Sequence, residues 1–161
     1  MGMKLRMITK AEYLKGRDVQ YPLDYTDEIS DNIDQFLIIF NRVQLAYAVV
    51  MNVNSGWRPP SVNASVPGAA RFSKHMIGKA IDINDPDDRV MKWSLANLDL
   101  LSSLELFLED FRWCSTSVGR WVHFGWGSPK SGHRIFVPDA SRDPDPARWD
   151  GVYDRKYDIV V

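Results

Sequence analysis

Apolar residues fall into two long runs at helical spacing, separated and followed by short runs at strand spacing. From Thr26 to about Tyr47, the residues Ile29, Ile33, Phe36, Leu37, Phe40, Val43, Leu45 and Tyr47 recur mostly at steps of three and four after an acidic first turn. This predicts a long helix that packs under a sheet. From Arg89 to about Glu109, Val90, Trp93, Leu95, Leu98, Leu101, Leu104 and Leu108 predict a second long helix. Asp85 or Asp87 can cap it, with Pro86 near the first turn. Strands are expected over Val49–Val53, around Ile81 and Ile83, over residues 121–126 and over residues 135–137. Thr9 followed by Glu12 has the spacing of a capping box, so a short helix should begin there and end near Gly16. Asn63 to Phe72, with Pro67 and Gly68, reads as a loop on the rim of a cleft, and Phe111 to Gly119 as a loop holding Trp113 and Cys114. The elements predict an α+β fold, a small and mostly antiparallel sheet flanked by two long helices.

One strand breaks the apolar pattern. In SKHMIGKAID at 73–82, Asp82 sits between Ile81 and Ile83, seven residues after His75. Burying a carboxylate costs several kcal/mol unless a cation or several donors meet it, and a nearby imidazole suggests that the cation is a metal. A third ligand is expected at His123, the one histidine in the strand-like RWVHFGW. Two histidines and one carboxylate leave a coordination position open, which is the arrangement of a catalytic zinc site. His133, in a KSGHR turn, is expected to face solvent.

With 161 residues the chain has the size of one domain, large enough to bury a core without disulfide staples. A net charge of −1 offers no bulk attraction to nucleic acid or to an anionic membrane, so neither is expected as a partner. Cys114 is the only cysteine and cannot form an internal disulfide. The N-terminal MGMKLRMITK lacks an apolar run long enough for a signal peptide. The expectation is therefore synthesis in the cytoplasm.

SGWRPP at 55–60, Asn63, SKHMIGKAID at 73–82 and WVH at 121–123 together resemble the M15 family of zinc peptidases, the D-alanyl-D-alanine carboxypeptidases and phage cell-wall endopeptidases. The pattern there is SGYRxP, then SxHxxGxAxD, then a late WxH or FxH, and the three blocks occur here in order. GRD at 16–18 and SGHRIFVP after the last ligand are similar to small phage-encoded members. The resemblance implies a single zinc-peptidase domain over residues 1–138, a C-terminal arm over residues 139–161, and Zn2+ held by His75, Asp82 and His123. It also implies a peptidoglycan peptide substrate, cut next to a D-amino acid. Arg58, on a turn stiffened by two prolines, would hold the substrate's carboxylate or carbonyl through its planar fork. Ser73, Asn63 and Trp121 would line the substrate side, although Ser73 could equally make an ST turn.

Proton transfer is where the sequence departs from the family. Many members place a glutamate three residues before the last histidine, where this chain has Arg120, and others an aspartate two residues after it, where this chain has Gly125. Glu109 is the first candidate for a replacement, through a Leu-Glu-Asp stretch resembling that of phage-like relatives; its alternative is a solvated glutamate at a helix end. A rival reading comes from the missing acid and the polar arm with Trp149, Tyr153 and Tyr157: a structural component of a phage particle that keeps the fold and binds other phage proteins through the arm.

Overall fold

The computed structural model describes residues 5–117, 119–127 and 134–136. The expected C-terminal arm and His133 lie outside them. The chain begins with α1 (Lys10–Leu14), whose capping box is complete: Thr9 accepts from the Glu12 backbone, and the Glu12 carboxylate accepts from the Thr9 backbone. After the short α2 (Arg17–Gln20) comes α3 (Asp27–Tyr47). Thr26 caps α3 by accepting from the Ile29 amide, and Asp27 and Glu28 oppose the helix dipole.

The long helix ends at Ala48 in a left-handed conformation, and Gln44 sets the path of the chain beyond it. Its buried amide donates to the Val49 carbonyl at 2.6 Å and accepts from the Met51 amide at 2.9 Å. Those bonds hold residues 49–51 against the helix end, so the strand expected over Val49–Val53 starts later, as β1 (Val53–Ser55). Next is α4 (Pro60–Ser65), which opens on a proline and takes in Asn63, so the rim loop is shorter than expected. After it come β2 (Ala80–Asn84), α5 (Arg89–Ala96), α6 (Leu98–Ser103), β3 (Leu106–Glu109), β4 (Ser115–Thr116), β5 (Gly119–Trp126) and β6 (Ile135–Phe136).

The second long helix is thus three elements. Of Asp85 and Asp87, Asp85 serves the start of α5, accepting from the Val90 and Met91 amides at 2.9 Å each, although the residue at the N-cap position is Asp88. Asn97 then leaves helical geometry and donates its side-chain amide back to the Trp93 carbonyl, which divides α5 from α6. Glu105 adopts a positive φ of 55° and turns the chain into β3. Leu104, at the end of α6, and Leu108 keep a helical step of four, whereas Leu106 and Leu108 fit a strand's period of two, and their partners on β5 select the strand.

Strand order is β1-β2-β5-β3-β6, with β4 pairing to β5. All pairs are antiparallel except β3 with β6. Fully buried Ile81, Ile83, Val122, Phe124, Leu106 and Leu108 form the face that packs on α3, where the Phe40 and Phe124 rings meet edge-on at 5.0 Å. Alternation along each strand therefore turns Asp82, His123, Phe107 and Glu109 to the opposite face.

Candidate metal centre

The SKHMIG segment is a short 3₁₀ turn, Lys74–Ile77, with a stop at each end. Ser73 Oγ accepts from the His75 amide at 3.2 Å, and Gly78 closes the turn at φ 73° with Ile33 packed where a Cβ would stand. His75 is fully buried, and its Nδ1 faces the Gly56 carbonyl oxygen at 2.6 Å. A carbonyl only accepts, so Nδ1 carries the proton and Nε2 is left with its lone pair. Burial pushes the His75 pKa down against the pull of Asp82, which keeps the ring neutral as a metal ligand must be.

Four contacts lace this turn to the SGWRPP loop. Besides the Gly56–His75 bond, the Arg58 amide donates to the His75 carbonyl at 3.1 Å and Trp57 Nε1 to the Met76 carbonyl at 3.1 Å. Arg58 Nη2 lies 3.4 Å from Ser73 Oγ. Gly56 has no room for a side chain, because a Cβ there would overlap the Tyr13 carbonyl oxygen and ring. Tyr13 in turn donates its hydroxyl to the Ala80 carbonyl at 2.7 Å, two residues from Asp82. Arg17 donates to the Trp57 carbonyl at 2.6 Å. Sequence reasoning noticed Arg17 only within a similar triplet and missed Tyr13, whose apolar burial at the end of α1 carries no local signal.

Asp82 and His123 come together through strand register. They are cross-strand partners in β2 and β5, and His123 Nδ1 lies 2.8 Å from Asp82 Oδ1. His75 Nε2 reaches Asp82 Oδ2 at 3.2 Å and His123 Nδ1 at 3.3 Å. Burial alone would raise the Asp82 pKa, but His75 and His123 outweigh it and hold the carboxyl well below the usual range. Burial likewise opposes charge on His123, and the bond to Asp82 reverses that and raises its pKa.

Ligand atoms from His75, Asp82 and His123 all lie within 4.8 Å of one another. A tetrahedral zinc with bonds of about 2.0–2.2 Å holds neighbouring ligand atoms roughly 3.3 Å apart, close to the separations observed here. The set of two imidazole nitrogens and one carboxylate also matches the donor chemistry of zinc, so these residues fit the ion.

Glu109 occupies the same face. Leu108 pairs with Phe124 in the β3–β5 ladder, so Glu109 comes beside His123 on the side away from Asp82. It is not a helix-end residue. Burial raises its pKa, with His123 and Arg58 opposing and Asp82 adding to the rise. Arg58 is buried at 9% exposure, its Nε has no partner among the described residues, and Asp82 and Glu109 both act on its charge. Trp121, half-buried, pairs with Asn84 on the His123 face. Asn63 lies deeper than a rim residue: its side chain donates to the Ala70 carbonyl at 2.9 Å and pins the loop before Ser73.

Neither family acid position could serve in this geometry. Arg120 is an odd number of residues from His123, so it faces away, and it pairs with Asp88 at 2.9 Å. At Gly125 a Cβ would run into the Phe107 ring, whose space it would need.

The family model of peptidase M15 matches residues 12–100, more than half of the chain. No curated protein and no solved structure matches it.

Proposed function

This chain belongs to the peptidase M15 family, and on that premise we propose that it is a zinc-dependent peptidase hydrolysing bonds next to D-amino acids in peptidoglycan stem peptides or cross-links. The observation that carries this reading is the convergence of His75 Nε2, Asp82 and His123 Nδ1 on one point, with Glu109 beside His123. Zinc bound there would polarise the scissile carbonyl and lower the pKa of a water.

The chain's own residues would do the rest. Glu109 takes the proton of the attacking water and delivers it to the leaving amine, a task suited to a carboxyl whose pKa burial has raised. Arg58 holds a carboxylate or carbonyl of the peptide through its fork. Ser73, bonded to the His75 amide and close to Arg58, fixes both the ligand turn and the guanidinium. Asn63 supports the loop that leads into it, and Trp121 forms a wall on the His123 face.

In this reading the protein acts at the cell wall, after release from a cell or carried on a phage particle. Among the described residues no helix is long and apolar enough to cross a membrane. Digestion of purified peptidoglycan with zinc present, with product masses read out, is the direct test. The expected products are stem peptides shortened or separated at a bond beside a D-amino acid. Intact peptides after digestion with the zinc-loaded protein would overturn the reading.

A further inference from the structure

The face that carries His123 continues toward the end of β5. There Phe107 stands across from Gly125, and its ring lies 6.5 Å from the His123 ring, centroid to centroid. Above the Phe107 ring lies the ammonium of Lys74, 5.7 Å from its centroid. Among the described residues Lys74 Nζ donates one hydrogen bond, to the Trp126 carbonyl at 2.9 Å. An ammonium has three donors, so two remain for another acceptor.

Among the described residues no carboxylate pairs with Lys74, and the charged group that acts on it is a second cation, Lys79, whose own ammonium lies 5.1 Å over the Trp126 ring. A half-buried ammonium with no carboxylate partner among the described residues is unfavourable, and a bound carboxylate would relieve that. Trp126 is three residues past His123, about 10 Å along a strand. The Phe107 ring lies between imidazole and ammonium, so a peptide held at the metal site would cross it within one to three residues.

Resting on the peptidase reading, we propose that Lys74 determines specificity by binding a free carboxylate of the substrate peptide, one to three residues from the cleaved bond. Arg58 and Lys74 approach the site separately: the guanidinium sits with Ser73, Asp82 and Glu109, and the ammonium with Phe107 and Trp126. The carboxylate is either the peptide's own C-terminus or an acidic side chain.

Two pairs of peptides separate these sources and test the site. One pair ends in D-alanine as free acid or amide; the other is amidated at its C-terminus and carries D-glutamate or D-glutamine. Binding to the zinc-loaded protein is measured by calorimetry and cleavage by mass spectrometry. The acid of one pair should bind about tenfold more tightly than its neutral partner. Lys74→Met should bring that ratio to about one, and Lys74→Arg should retain it. Lys74→Gln, which keeps a donor for the Trp126 carbonyl, should lose the ratio as Lys74→Met does. A residue that merely ties the 3₁₀ turn to β5 would weaken both members of a pair alike. An unchanged ratio in Lys74→Met and Lys74→Gln, or no preference in the unaltered protein, overturns the proposal. Acid-selective binding that depends on Lys74, with no peptide cleaved, supports this site while removing the peptidase reading.

Discussion

His75 is held by a locked turn and His123 by the register of a sheet, and the two sides of the candidate metal centre differ accordingly in what can disturb them. On the His75 side the restraints on the turn's backbone and on His75 Nδ1 come mostly from within about twenty residues of sequence: the Ser73 cap, the Gly56 carbonyl, the Arg58 amide and the Trp57 indole. On the His123 side the hydrogen-bonded partner is distant, Asp82 on β2, and Glu109 stands beside His123 only through the β3–β5 pairing. A one-residue slip of β5 would turn His123 into the core and Val122 or Phe124 out of it. A compact motif can therefore specify the first side, whereas the second depends on the whole sheet.

The largest effects should come from the ligands themselves. His75→Ala and His123→Ala should each lose zinc and cleavage almost completely, as metal analysis of the purified proteins would show. The two variants should nevertheless differ in stability. Both remove a partner of Asp82, but only His75→Ala also strands the buried Gly56 carbonyl, at a further cost of about 1–3 kcal/mol. Near-stoichiometric zinc in both variants would mean that other groups bind the ion.

Glu109→Gln should keep its zinc and lose about 100- to 10,000-fold in turnover, the usual worth of general acid–base help. Equal rates for the two proteins would remove Glu109 from the mechanism.

Two glycines sharpen the contrast in stability. A methyl at Gly56 meets backbone, the Tyr13 carbonyl oxygen, whereas a methyl at Gly125 meets only the Phe107 side chain. Gly56→Ala should therefore cost about 3 kcal/mol and Gly125→Ala about 1 kcal/mol, both within the range for overpacking. Thermal or denaturant melts measure both, and a larger loss at Gly125 would show that β5 is the less tolerant side.

The smallest effect is expected at Arg58. Arg58→Lys keeps the charge and loses the fork, so kcat/KM should fall about tenfold with little change in Tm. A large drop in Tm with unchanged activity per folded molecule would assign the guanidinium to the fold.

Much was legible in the sequence because it depends on short spacings. The capping box at Thr9, the boundaries of α3 and the Asp85 cap arise from side chains within five or six residues of the backbone groups they serve. Asp82 pointed to the cluster with His75 and His123 because a carboxylate between isoleucines needs a partner, and the histidine that shares its row stood out in a second apolar strand.

Tertiary structure decided the rest, since cross-strand pairing has no local signature. Leu104 and Leu108 keep a helical step while Leu106 and Leu108 alternate, and only the β5 ladder makes Leu106 and Leu108 part of a strand. That choice brings Glu109 beside His123 instead of leaving it at a helix end. The same ladder lets Phe107 fill the space at Gly125, while strand alternation sends Arg120 to Asp88 on the opposite side. Sequence by itself determined which side chains could bind a metal; pairing between distant strands decided which acid stands next to them, because a strand's facing is set by its neighbours.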